Sequence, residues 1–179
     1  MKDRLFAGYF EKTGFDHPMH DPETRRKCSF RYTFDGESFD SSYELVVFLY
    51  ARDNGIPLRH PTDVGLPYCF DGKTHFYYPD FVNTETGQFV EVKGLHFFKQ
   101  DGTMFCPYRY PGWTDEQYSK RCQLEEAKRQ CMLENDVLVI RTDSICMKAM
   151  LKYVNTKYPP QYVERFRNSQ TKNPEKIIL

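Results

Sequence analysis

Asp80, Glu91 and Lys93 are the residues of this chain whose types and spacing could do chemistry. They fall in the stretch 77–94, which reads as two strands joined by a polar turn. Phe89, Glu91 and Lys93 alternate with Val90 and Val92, so the acid and the base project from one face of the second strand. Segment 83–88, polar and with Gly87 near its end, suits a hairpin connection. A turn centred between Glu85 and Thr86 sets Asp80 directly opposite Glu91. Side chains paired in this way have Cβ atoms about 4.5–5.5 Å apart, where two carboxylates repel unless something neutralises them. A hard divalent cation does so: Mg²⁺ binds one or two carboxylates, keeps several waters and takes up substrate phosphate oxygens. On this register alone, removing Asp80 should relieve its repulsion with Glu91 and stabilise the metal-free chain.

Elements that could position the pair are legible on both sides of it. Residues 1–27 show no periodicity and read as loop; Arg25, Arg26 and Lys27 are either phosphate contacts or a solvated surface. Cys28, Phe30, Tyr32 and Phe34 alternate with polar residues, predicting a half-buried strand that ends at an Asp35-Gly36 turn. Ser41 to Leu49 predicts an amphipathic helix stopping at Asn54-Gly55. Ser41 and Glu44 have capping-box spacing, which gives Glu44 two readings: a carboxylate that closes the first helical turn, or a third acid near the metal.

Asp71-Gly72, flanked by 66–70 and 73–81, predicts a tight hairpin, so that these two strands and the Glu91 strand form a three-strand meander. The connection 95–113 interleaves Phe97, Phe98, Phe105, Tyr108, Tyr110 and Trp113 with Lys99 and Arg109. It reads either as a loop that stacks bases and grips phosphates or as a compact loop packing its rings on the core. Thr114 and Gln117 repeat the capping-box spacing and open a helix to about Glu134. Leu124, Ala127 and Cys131 mark part of its buried stripe, with Lys128 near the edge. Lys120, Arg121, Lys128 and Arg129 make it the most basic helix. A strand at 137–140 follows, and a right-handed crossover places it parallel to the Glu91 strand. Asp143 or Ser144 caps a last helix with Met147, Met150, Leu151 and Val154 on one face; the tail from Asn168 is read as lacking fixed structure.

Composition narrows the class. With 179 residues, 40% of them hydrophobic, the chain suits one core with decorations, divided as 1–38, 39–143 and 144–179. Lys plus Arg and Asp plus Glu number 25 each, so any nucleic-acid surface must be local rather than global. The longest apolar run, 45–51, is too short to span a bilayer, and the N-terminus lacks a signal-peptide core, so the expectation is a cytoplasmic protein with no membrane partner. The cysteines form no CxxC pair, and His17, His20 and Cys28 fit no standard metal-ligand spacing.

The order of a helix carrying Glu44, a three-strand meander, a helix and a strand, with Pro79-Asp80 and Glu91-Val92-Lys93 in place, resembles the PD-(D/E)XK nuclease superfamily. The resemblance covers roughly 39–141. It implies an α/β fold with a restriction-endonuclease-like αβββαβ core and a mixed central sheet, extended by an N-terminal strand and a C-terminal helix. Within the superfamily, Tyr-Pro-Asp-Phe and Glu-Val-Lys-Gly are similar to phage junction-resolving, transposon-end and mismatch-nicking endonucleases. The resemblance further implies a Mg²⁺- or Mn²⁺-dependent endodeoxyribonuclease, phage or mobile-element associated, with Asp80, Glu91 and the Val92 carbonyl as metal ligands. Lys93 would position or activate the attacking water, and Glu44 would hold a second ion or its water shell. DNA is the implied partner, gripped by Lys128, Lys120 and Arg121, with a homodimer left open. The alternatives are a catalytically silent nuclease fold that only binds nucleic acid or protein, and a cysteine/histidine metal protein with an incidental hairpin.

Overall fold

The computed structural model describes residues 30–61, 64–110, 112–158, 164–167 and 175–176; His17, His20, Arg25, Arg26, Lys27 and Cys28 lie outside them. Among these residues the fold is mixed α/β, with three α-helices and a mixed sheet. The chain divides into two compact units, Met1–Leu45 with Asn155–Leu179, and Val46–Val154. No helix among the described residues is long and apolar enough to cross a membrane.

In the unit formed by the two chain ends, β1 (Phe30–Phe34) and β2 (Glu37–Phe39) pair antiparallel around Asp35-Gly36. Both turn residues have positive φ, 48° and 86°, the conformation that two-residue hairpins require and that Asp and Gly tolerate. The remaining strands of the sheet come from the C-terminus. β9 (Glu164–Arg167) lies antiparallel to β1, and β10 (Glu175–Lys176) lies antiparallel to β9. The tail therefore contributes a strand, contrary to the reading from Asn168 onward; a two-residue pairing leaves no periodicity to read. Phe39 is fully buried in this unit, and Phe34 meets Tyr158 edge to face at 5.6 Å.

The unit boundary falls within α1 (Ser42–Asp53), whose Leu45, Val46, Val47, Leu49 and Ala51 are buried. Gly55, at φ 71°, follows its last turn, as the left-handed residue past a helix end usually does. In the second unit, β3 (Leu58–Arg59), β6 (Phe81–Asn83), β7 (Phe89–Lys93) and β8 (Leu138–Arg141) form a sheet in that order. The β3/β6 and β6/β7 pairs are antiparallel and the β7/β8 pair is parallel. The crossover from β7 to β8 carries α2 (Asp115–Glu134), which opens on the Thr114–Gln117 capping box.

The expected meander is broken. β4 (Leu66–Phe70) and β5 (Lys73–Tyr77) make a separate two-stranded hairpin around Asp71-Gly72, where φ is 53° and 67°. The strand expected over 73–81 stops at Tyr77 and resumes as β6 at Phe81. Pro79 accounts for the gap, because it has no N–H to give a ladder and holds the preceding residue extended. The short β3, not β4, is the antiparallel neighbour of β6.

Leu66, Tyr77, Met104, Cys131, Met132 and Val137 form a core in this unit, against which Tyr68, Phe89, Phe98 and Val139 pack. The buried stripe of α2 runs through Glu125, Cys131 and Met132, while Leu124 and Ala127 are only half-buried. The face is rotated from the expected one because Glu125, although charged, is turned inward. α3 (Ile145–Lys157) begins where the Ser144 hydroxyl accepts the Met147 N–H at 3.2 Å, and it buries Met147 and Val154 fully.

Candidate active site

The site forms where β6 and β7 part. Their ladder pairs Val82 with Phe89 and Phe81 with Val90, and the same register continued by one residue sets Asp80 opposite Glu91. Here backbone pairing gives way to side-chain pairing: Asp80 Oδ2 accepts the Val92 N–H at 2.7 Å. Because N–H and C=O of one strand residue point to the same edge, the Val92 carbonyl is directed to the side on which Asp80 lies. His60, which sequence reasoning missed, has Nδ1 3.1 Å from the Asp80 carbonyl and its ring 4.9 Å from that of Phe81. Twenty residues separate His60 from Asp80, and no sequence pattern connects them.

Glu91 is 4% exposed. Its Oε1 accepts from the Lys93 ammonium at 3.0 Å, while Oε2 is buried with no hydrogen-bond partner among the described residues. The two residues lie on the same face of β7, and Lys93 also rests its ammonium 5.0 Å from the centre of the Phe97 ring. One oxygen of the carboxylate is thus charge-paired and the other is left to pay its desolvation uncompensated.

Tyr77, the last residue of β5, is buried beside Glu91. Its hydroxyl is also buried and makes no hydrogen bond of good geometry, yet it is close enough to Glu91 to feel its charge. Burial first, then the charge of Glu91 and the phenol's hydrogen-bonding approach to that carboxylate, and after them the charge of Asp80, push the phenol far above its ordinary range. The hydroxyl therefore stays neutral in the fold at any ordinary pH, whereas in the unfolded chain it ionises near pH 10. A raised folded-state pKa contributes stability that is complete below pH 10 and is lost as pH rises above it. The unfolding free energy of wild type in EDTA should fall between pH 9 and 11 more steeply than that of Tyr77→Phe, by up to about 1.4 kcal/mol per pH unit, as denaturant titrations at each pH would read. Parallel curves would show that Tyr77 is not held neutral by this pocket.

Asp80, Glu91, Val92 and Lys93 are thus brought together. Glu44 belongs to the unit of the chain ends. Its Oε1 accepts from the Ser41 hydroxyl at 2.7 Å and its Oε2 from the Asp40 N–H at 3.0 Å, while Ser41 Oγ accepts the Glu44 N–H at 3.1 Å. Both oxygens serve the first turn of α1, one of the two roles its spacing allowed.

The three cationic candidates on α2 each have a carboxylate partner. Lys128 and Arg121 both bind Oε1 of Glu125 at 3.0 Å, and Lys120 binds Asp71 at the β4–β5 turn. Glu125 itself was overlooked, although an acid four residues after Arg121 and three before Lys128 is a legible ion-pair spacing.

The residues fit a hard cation with an incomplete ligand shell. Asp80 and Glu91 face each other in register, the Val92 N–H is bound to Asp80, all the groups offer oxygen donors, and one buried Glu91 oxygen lacks a partner among the described residues. Among the described residues no group of three or more His, Cys, Asp or Glu side chains is gathered for a metal. A Mg²⁺ ion held by so few protein oxygens would keep waters and take substrate oxygens for the rest of its shell. No protein-family model, curated protein or solved structure matches the chain.

Proposed function

We propose that the chain is a Mg²⁺- or Mn²⁺-dependent endodeoxyribonuclease with a restriction-endonuclease-like core. The observation that carries this reading is the facing of Asp80 and Glu91 at the parted end of β6 and β7, with a buried, unpartnered Glu91 oxygen and Lys93 beside it. The element order supports it once the β4–β5 hairpin is treated as an insertion. α1, β3, β6, β7, α2 and β8 then follow an αβββαβ order, with Asp80 just before β6 and Glu91 on the adjacent β7 of a mixed sheet.

In this reading Asp80, Glu91 and the Val92 carbonyl hold the ion. When bound, the ion supplies Lewis acidity at a phosphoryl oxygen and lowers the pKa of a water. The chain's own groups do the rest. Asp80 is fixed by the Val92 N–H, so its second oxygen has a defined direction. Tyr77 walls the pocket and keeps bulk water from Glu91, which strengthens every charge interaction at that carboxylate. Lys93 moves its ammonium from Glu91 to the phosphate, adding positive charge where negative charge builds in the transition state.

A second reading has a specific observation in its favour. The Lys93–Glu91 pair already satisfies much of the local charge without an ion, which suits a nuclease-like fold that only binds. The two are separated by incubating linear duplex, branched and single-stranded DNA, and RNA, with Mg²⁺, Mn²⁺ or EDTA. The nuclease reading predicts cleavage of DNA in either metal and none in EDTA. Binding without cleavage in both metals would leave the binding module.

A further inference from the structure

Beyond β7 the chain builds a cluster of rings next to Lys93, in which His96 and Tyr108 are exposed and Phe97 is half-buried. Gly94 permits it: the His96 imidazole lies so close over its α-carbon that a Cβ there would come within 2.4 Å of the ring. A 3₁₀ turn over Leu95–Phe97 then presents His96 and Phe97, with the Leu95 N–H held by the Thr142 hydroxyl at 3.1 Å. Tyr108 joins them from the following loop, its hydroxyl 3.4 Å from His96 Nε2 and its ring 6.5 Å from Phe97, nearly perpendicular.

The loop that delivers Tyr108 is anchored rather than loose. Met104 and Cys106 are buried, the Met104 N–H is taken by Glu126 at 2.9 Å, and the Cys106 thiol reaches the Tyr108 carbonyl at 3.0 Å. Yet Tyr108 itself remains 58% exposed. The loop therefore spends its buried side chains on fixing the backbone and leaves a ring in solvent. A rigid exposed aromatic gives up little conformational entropy when something stacks on it.

We infer that Tyr108, with Phe97 and His96, is a stacking wall for an unpaired nucleobase next to the phosphodiester at Lys93. This rests on the nuclease reading for what lies at Lys93, and it deepens that reading by naming the substrate class: DNA with an unpaired nucleotide beside the cleavage point. The connection to Lys93 is direct, because the ammonium sits over Phe97, whose ring contacts Tyr108. A cation for the phosphate beside an open aromatic for the base is the pairing by which single strands are held, and every base has a face to offer. A base still paired inside a duplex cannot present that face.

The probe is a duplex with a single-stranded overhang carrying 2-aminopurine at its first unpaired position, titrated with full-length protein in EDTA so that no cleavage intervenes. Stacking predicts quenching of the probe on binding and weaker quenching of the same base placed inside a continuous duplex. Tyr108→Ala should weaken overhang binding by about 5- to 100-fold and abolish the quench. Tyr108→Phe, which keeps the ring and loses only the hydroxyl, should retain both. Binding of wild type without quenching, or quenching in Tyr108→Ala equal to wild type, overturns the wall. Cleavage of the overhang substrate in Mg²⁺, scored separately, tells the two ideas apart: quenching without cleavage leaves the wall and removes the nuclease, and cleavage without quenching does the reverse.

Discussion

Lys93→Met is expected to lose about 3–5 kcal/mol of stability in EDTA, and much of that loss should vanish in Mg²⁺. The reason is the state of Glu91. Its side chain is 6% exposed, one oxygen is satisfied only by the Lys93 ammonium, and the other has no hydrogen-bond partner among the described residues. Methionine fills the same volume without the charge, leaving a buried carboxylate with nothing opposite it, and breaking a buried pair from one side costs about 3–5 kcal/mol. An ion bound by Asp80 and Glu91 would restore the missing positive charge. A ligand stabilises the fold it binds by about 2.7 kcal/mol at a hundredfold excess over its dissociation constant, and the variant, whose Glu91 has no competing ammonium, should bind the ion more tightly than wild type and gain more. Melting curves of wild type and Lys93→Met, each in EDTA and in Mg²⁺, therefore should show a gap that narrows when the ion is added. A gap that stays constant would mean that the ion does not bind at Glu91. Cleavage by the variant should fall by about a hundred- to a thousandfold even in saturating Mg²⁺, since the ammonium at the phosphate is not replaced.

Asp80→Asn should separate the two jobs of Asp80. Its carbonyl oxygen can still accept the Val92 N–H, so the parted end of β6 and β7 keeps its shape and the melting temperature in EDTA stays near that of wild type. The ligand charge is gone, and cleavage is expected to drop by about a thousandfold or more. Asp80→Ala loses activity to the same degree but also leaves the Val92 N–H without its acceptor, costing about 1–3 kcal/mol. This reverses the expectation drawn from register alone. Relief of repulsion with Glu91 is worth little where Lys93 already neutralises that carboxylate, and the hydrogen bond to Val92 is the larger quantity. A Tyr77→Phe background would not alter the ranking, because the phenol that it removes carries no charge in the fold.

The contrast between what was legible and what was not follows from the range of the forces involved. The facing of Asp80 and Glu91 could be read because a hairpin register is set by a short turn and by period-two alternation, both local. The Thr114–Gln117 cap, the Asp35-Gly36 and Asp71-Gly72 turns and the end of α1 at Asn54-Gly55 are local for the same reason. The break at Pro79 was written in the sequence and passed over, since a strand pattern running from 73 to 81 ignores the missing N–H in its middle. The rotation of α2 was hidden by the assumption that a charged residue faces water. Glu125 is turned inward because Arg121 and Lys128 reach it from either side. Contacts between distant segments left no trace at all. The pairing of β9 with β1, the approach of His60 to Asp80 and the burial of Tyr77 beside Glu91 depend on the tertiary arrangement, which no window of sequence contains.

The ion itself is the most direct test of the central claim, that Asp80 and Glu91 form a divalent-metal site at the head of β7. Free Mn²⁺ can be followed by electron paramagnetic resonance while protein is added, with wild type and Asp80→Asn compared under identical conditions. A metal site at these carboxylates predicts saturable loss of the free-ion signal with wild type, competition by Mg²⁺, and at least a tenfold weaker effect with Asp80→Asn. Equal depletion by the two proteins, or none by wild type, would contradict it.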